Sequence, residues 1–399
     1  MSDLNSSKLK IGIVLSSIPG YSETFFRNKI KGLQNKGINV ILFVDLPFDD
    51  SSNLSCKVLR IHNFDRTLFS KISSSVFAIL KLLFINPRRS LRHFNLDKKD
   101  GLSFKNSIRN LLLNQFLLNQ DLDWLHFGYG MLASNRENVA EAIGAKMAVS
   151  FRGFDLYLSP LKHGNCYETL FTKQVKYHVL SQKMKERLIA HKISENSIKV
   201  ITPAIDINFF NDHRRSQNKN NPIKLVCVSR LHWVKGLDYM LDALALLKLQ
   251  GLDFKMTIIG DGEARERLIF AAHKLEIIDN LIFTGKLSQD EVITYLSMAD
   301  IYIQYSIQEG FGNAVLEAQA MGLFCIVSDA DGLKENVVHE KSGFIVPKRN
   351  PKLLAKCIKD VIELDSEKKQ EMTRFAIERV KNEFNLTQQN NAFENFYNF

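Results

Sequence analysis

The chain has 399 residues, 45% hydrophobic and 24% charged, with 20 Gly and 8 Pro. This is ordinary globular usage, which excludes collagen-like and low-complexity character and, at about 150 residues per domain, suits two domains. No window approaches the about 18 uninterrupted apolar residues of a membrane-spanning helix. The opening MSDLNSSKLKIGIVLSS has no signal-peptide pattern, and Cys56, Cys166, Cys227, Cys325 and Cys357 are scattered without CxxC spacing, so a cytoplasmic protein with buried thiols is expected. The net charge of +10 is uneven. Residues 1–215 carry 31 Lys and Arg against 18 Asp and Glu, and the rest carry 22 against 25. A basic half points to a polyanionic partner: nucleic acid, an acidic membrane face or a phosphorylated substrate.

In chain order, LKIGIVLSS reads as a buried strand. The next stretch, SETFFRNKIKGLQNKG, is a helix with Phe25, Phe26, Ile30 and Leu33 at helical spacing, and GINVILFVDL is a second strand. That βαβ start predicts a parallel sheet. WLHFG, AKMAVSF, KYHVLS and IKVI continue it, with helical segments near 131–143 and 182–192. Residues 211–222, NDHRRSQNKNNP, are polar and end in Pro, the pattern of a linker. The alternation then restarts with strands IKLVCVSR, KMTIIG, NLIFTG, IYIQYS and FCIVSD and helices over 236–250, 263–275, 289–298 and 313–322. Two runs of βα units predict two doubly wound α/β domains facing each other, with ligands at the carboxyl ends of the strands. The expected domains are 1–210 and 223–382. The C-terminal region 365–399 reads as helical, and its last part, 383–399, is expected to pack back onto the first domain.

The densest motif is EGFGNAVLEAQAMG over 309–322. Gly310 and Gly312 permit a tight turn and close approach to a ligand, and free N–H groups where a helix begins near Asn313 favour an anion or a hydroxyl-rich ligand. Glu309 and Glu317 reach one site from different depths. By spacing alone they read equally as a solvated loop acid and a first-turn acid favoured by the helix dipole. In VSRLHWVKG, Arg230 ends a strand and Lys235 precedes a helix. A planar guanidinium and a mobile ammonium there suit a diphosphate, and two surface cations are the plain alternative. Gly260-Asp261-Gly262 after a strand is a weak phosphate-loop signal. Gly20 and Ser22, before the first helix, are placed to approach a donor phosphate or sugar, and Ser22 reads equally as a plain N-cap. Arg152, Gly153 and Asp155 also sit at a strand's carboxyl edge. Asp329 and Asp331 form a D-x-D without a further carboxylate nearby, so a turn is expected there and no metal.

Residues 66–109 combine VFAILKLLF with RRSLRH, Lys98, Lys99, Lys105 and Arg109. That pattern fits an anionic membrane surface and, equally, a core helix followed by a solvated loop. There is no nucleic-acid recognition module and no GxSxG elbow.

Taken together, SRLxxxKG at 229–236, GDG at 260–262, FTGKLS at 283–288, EGFGNAVLEAQAMG at 309–322 and DGLKENVVHEKSGFIV at 331–346 resemble the retaining group 1 glycosyltransferases of family 4, which have the two-domain GT-B fold. The first domain matches more loosely through SETFF, HFG, SFRGFD and VITPAIDINFF, and its opening is similar to exopolysaccharide transferases of the colanic-acid type. The resemblance implies a nucleotide-sugar donor, UDP- or GDP-linked, and a saccharide acceptor, plausibly lipid-linked at the inner membrane face, with no metal and no other cofactor. It implies that Arg230 and Lys235 hold the diphosphate. Glu309, with the backbone of Gly310, Phe311, Gly312 and Asn313, would meet the donor sugar, and Glu317 the ribose. Gly260, Asp261, Gly285 and Lys286 would lie near the base. Arg152 stands where the family often has His, and the family's PGxD turn reads Pro203-Ala204-Ile205-Asp206. A nucleotide-sugar epimerase on the same fold and a non-catalytic transferase-like binding subunit are the competing readings.

Overall fold

The structure, a computed structural model, describes residues 9–20, 24–46, 54–60, 86–211 and 222–398. Ser22, the segment 76–84 (VFAILKLLF) and all but the ends of the linker at 211–222 lie outside the described residues. The chain divides into two compact units, Met1–Ile201 with Asn390–Phe399, and Thr202–Gln389.

The first unit is a parallel sheet of β1 (Lys10–Leu15), β2 (Asn39–Val44), β3 (Lys57–Arg60), β4 (Trp124–Phe127), β5 (Lys146–Ser150), β6 (Val175–Val179) and β7 (Ile198–Val200), in the order β3-β2-β1-β4-β5-β6-β7. Strands β1, β2 and β4 are almost wholly buried, because their near-continuous Ile, Val, Leu and Phe runs are covered on both faces. The strand order reverses between β1 and β4.

The second unit repeats the plan with β8 (Ile223–Val228), β9 (Phe254–Ile259), β10 (Leu281–Gly285), β11 (Ile301–Gln304), β12 (Phe324–Ser328) and β13 (Phe344–Val346), ordered β10-β9-β8-β11-β12-β13. Here the reversal falls between β8 and β11. Its core packs Leu237, Met240, Leu241, Leu244 and Leu247 of helix Leu237–Leu249 against Leu225, Met256, Ile258 and Ile303 of the sheet. Helix Pro351–Glu363 adds Leu354, Ile358 and Val361. The pair of doubly wound α/β units is as the sequence predicts.

Three details differ from the sequence reading. Residues 202–210 cluster with the second unit instead of the first, since Ile205 N donates to Phe384 O at 3.1 Å. Of the helical C-terminal region, Ser366–Glu383 is buried into the second unit through Met372, Ala376 and Val380. Only residues from Asn390 onward join the first, where Phe393, Phe396 and Tyr397 enter the core and Trp124 Nε1 donates to Tyr397 O at 3.0 Å. The cationic stretch at 87–99 is a helix, Pro87–Lys99, that buries Ser90, His93 and Asp97. Arg89 of that helix donates to Asp121 at 2.5 Å and Arg92 lies 3.7 Å from Glu141, so part of the cluster is neutralised internally.

Candidate functional site

In a doubly wound sheet the loops leaving the two strands at the reversal diverge to opposite faces and leave a crevice between them. In the second unit these are the loops after β8 and β11. The sequence after β8 closes into a short turn, Trp233–Lys235, ended by Gly236 at φ +62°. A side chain on Gly236 would stand 2.2 Å from Tyr305 O. That close approach is why glycine is needed there, and it presses the turn against the exit of β11. Ile307 N and Gln308 N both donate to Val234 O, at 2.8 and 3.2 Å, and lock the two loops together.

This packing brings Lys235 Nζ to 2.5 Å from Glu309 Oε2, with each side chain only 14% exposed. Ser306 Oγ donates to the same carboxylate oxygen at 3.2 Å. Behind it Gln304 Nε2 donates to Ser306 Oγ at 3.0 Å and Tyr302 OH to Gln304 Oε1 at 2.8 Å. The buried file Tyr302-Gln304-Ser306 thus orients the carboxylate. Its sequence signal was present: polar side chains at period two inside an otherwise apolar strand, which a buried sheet tolerates only when they are bonded. Arg230 is exposed and makes no side-chain ion pair among the described residues.

The loop then passes through Gly310, Phe311 and Gly312 into helix Asn313–Ala320, whose start carries no side-chain cap and no acid in its first turn. Gly332 N donates to Glu309 O at 3.0 Å, and Asn336 Nδ2 donates to Gly312 O at 2.8 Å, so residues 332–336 buttress the loop. A side chain on Gly332 would come 2.3 Å from Gly310 O, and one on Gly312 would meet Leu333 at 2.7 Å. Glu317, on the second turn of the helix, is half-buried, and burial pushes its carboxyl up to about 7. The D-x-D carboxylates serve the turns around them: Asp329 accepts from Lys348 N at 2.9 Å and Asp331 from Gln308 Nε2 at 3.2 Å. Among the described residues no group of three or more His, Cys, Asp or Glu could hold a metal ion.

The Gly260-Asp261-Gly262 turn lies against the β8 loop. Leu231 N donates to Asp261 O and Ala264 N to Leu231 O, at 2.9 and 3.0 Å, while Gly260 N donates to Gly285 O at 2.9 Å. Gly260 has φ +132° and a side chain there would be 2.0 Å from Ser229 O. Its glycine is therefore required by backbone contact alone. The Asp261 and Lys286 side chains are exposed beside these turns.

In the first unit Gly20 is exposed in the loop after β1, where Arg27 Nη2 donates to Pro19 O at 2.8 Å. The Arg152 guanidinium stacks on Phe25 at 3.7 Å and lies 4.8 Å from the Phe26 ring. Asp155 accepts from Arg152 N at 2.9 Å and from Met131 N at 3.3 Å, and burial lifts its carboxyl to about 6. Sequence reading missed what lies beneath. Lys29, 3% exposed, sits 3.3 Å from His126 Nδ1. His126 Nε2 and His178 Nδ1 both meet Ser150 Oγ at 2.7 Å, and His178 Nε2 donates to Ile201 O at 3.1 Å. Tyr397 OH closes the other end on His126 Nδ1. Burial, with Lys29 and Arg152 nearby, keeps both imidazoles well below the usual histidine range. Single polar residues inside three different strands carry no mutual spacing that a sequence could reveal.

Residues 208–379 match the family model described as glycosyl transferases group 1. The chain is 26% identical to the amylovoran biosynthesis glycosyltransferase AmsK of Erwinia amylovora, over 87% of this chain and 89% of that one. It is 25% identical to the putative colanic acid biosynthesis glycosyltransferase WcaL of Escherichia coli K12, over 94% and 96%. Among solved structures, Anabaena HepE in complex with UDP superposes with a TM-score of 0.71 at 16% identity, over 97% of this chain and 98% of that one. A glycosyltransferase from Rickettsia africae does so with a TM-score of 0.71 at 20% identity, over 98% of each. The two parallel-sheet units are those of the GT-B fold.

Proposed function

We propose that this chain, which matches the model of glycosyl transferases group 1 over residues 208–379, is a glycosyltransferase that moves a sugar with retention of configuration from a nucleoside diphosphate donor to a saccharide in the biosynthesis of a cell-surface polysaccharide. The observation that carries the reading is the Lys235–Glu309 pair at the strand reversal, joining the loop that holds exposed Arg230 to the loop that leads into the uncapped helix start at Asn313. Departure of a diphosphate leaves negative charge on its oxygens. Cations and oriented N–H groups already in place stabilise that charge without reorganising. Arg230 and Lys235 take the diphosphate in this reading, Glu309 and the Gly310–Asn313 backbone the sugar, and Glu317 the ribose hydroxyls. The anomeric carbon–oxygen bond to phosphate breaks, the acceptor oxygen bonds to that carbon from the same face, and its proton passes to the departing phosphate. The donor is UDP- or GDP-linked in this reading, and HepE, which shares the fold, is solved with UDP. The excess of Lys and Arg over residues 1–215 favours an acceptor linked to a lipid at an anionic membrane face.

The test is a thermal-shift screen of UDP, GDP, ADP and their sugars, with and without EDTA. A ligand bound only by the native state raises the melting temperature by mass action. One nucleotide family is expected to do so regardless of EDTA, and Lys235→Ala to abolish it. No shift with any nucleotide overturns the reading.

A further inference from the structure

The turn that carries Lys235 has a second side. Trp233, two residues earlier, is 47% exposed and faces a cleft of about 560 Å³ within the second unit, lined also by Asp238, Tyr239, Glu263, Arg267 and Ile307. The size is within the range of small-molecule sites. Asp238 and Arg267 form a two-pronged ion pair, with Nη2 to Oδ2 at 3.0 Å. Glu263 lies 3.4 Å from His232 Nε2, and the His232 ring is 5.8 Å from that of Trp233.

We infer that this cleft is a pyranose-binding subsite, with Trp233 as the stacking face and the Asp238–Arg267 pair and Glu263 as hydroxyl partners. A phosphate would meet two carboxylates against one guanidinium. A lipid chain would meet charge on most of the rim. A sugar ring fits both features: its axial C–H face is apolar and suits an aromatic plane, while its equatorial hydroxyls both donate and accept. A planar carboxylate–guanidinium pair offers acceptors and donors side by side at the spacing of neighbouring hydroxyls. Position supports the same occupant. Ile307, in the cleft wall, lies two residues before Glu309, and its backbone N–H is bonded to Val234 between Trp233 and Lys235. The saccharide is thereby held against the same turn that carries Lys235. That this saccharide is the acceptor chain rests on the transferase reading; the binding site itself does not.

Two tryptophans make the test direct, since Trp124 is 3% exposed in the first unit and Trp233 is not. The methyl pyranosides of galactose, glucose, mannose, fucose and glucuronic acid are titrated while tryptophan emission and saturation-transfer NMR of the sugar protons are recorded, with sorbitol as the acyclic control. At least one pyranoside is expected to give a saturable response and sorbitol none. Trp233→Ala should weaken that affinity on the order of tenfold or more, Trp233→Phe should recover most of it, and the remaining Trp124 emission reports that the first unit stays folded. A protein whose melting temperature responds to UDP but which answers no pyranoside overturns the subsite, as does an undiminished NMR signal in Trp233→Ala. Pyranoside binding without any nucleotide shift sinks the transferase reading and leaves the subsite in place.

Discussion

Lys235 and Glu309, 74 residues apart, form one ion pair at 2.5 Å in which neither side chain is more than 14% exposed. The motifs that contain them read as separate contributors, one to a diphosphate and one to a sugar. The pair makes them a single device, each holding the other in place at the reversal of strand order.

A double-mutant cycle of Lys235→Met and Glu309→Gln should therefore give a coupling free energy of about 1–3 kcal/mol in urea unfolding. Each single change leaves a half-buried partner uncompensated and should lower turnover by about 10²-fold or more. Additive stabilities would show that the pair is only a surface contact.

Glu317 provides a pH test. Its carboxyl is raised from 4.5 to about 7 by burial, so the folded protein retains a proton that the unfolded chain has already lost. Stability then falls as pH rises from about 4.5 to about 7, and the penalty is complete above that. Glu317→Gln removes the penalty, so its stability relative to the parent should increase over this window, while its nucleotide affinity drops about tenfold for want of a charged acceptor. A pH-independent difference, or unchanged affinity, contradicts the assignment.

Gly332→Ala tests the buttress. The added carbon would lie 2.3 Å from Gly310 O, and Gly332 N also holds Glu309 O. The loop must shift, at a cost of about 1–3 kcal/mol in stability. Activity should fall more steeply than stability predicts, because the displaced residues are those of the site. Native turnover in the variant would mean that the loop is compliant.

Lys29→Met should stabilise the first unit. Burial, together with the Arg152 guanidinium, lowers the Lys29 amine well below its ordinary 10.5, so between that lowered value and 10.5 unfolding takes up a proton. The amine therefore lowers stability progressively as pH drops below 10.5. Met keeps the length and the contact with Phe393, and Tyr397 OH remains on His126 Nδ1. The expected result is a higher midpoint at pH 7 and a smaller gain at pH 10, by calorimetry. A destabilised variant at both pH values would show that Lys29 stays charged and is needed for packing.

Much of this protein is legible in order of residues alone. The apolar runs of β1, β2, β8 and β12 and the helical spacing between them determine two parallel α/β units, because strands covered on both faces must be continuously hydrophobic. The glycines of 260–262 and 310–312 mark the turns at their carboxyl edges. Strands β3 (KVLR) and β13 (FIV) are the two that the sequence reading does not name as strands. What tertiary structure alone decided is pairing. That Lys235 neutralises Glu309, that Gly260 is required by Ser229 O, and that Arg152 lies on Phe25 all depend on which strands become neighbours. The buried line from Lys29 through His126 and Ser150 to His178 joins one helix to three strands. Such contacts between distant segments leave no spacing in the sequence, since the sheet order that creates them is set by the packing of the whole unit.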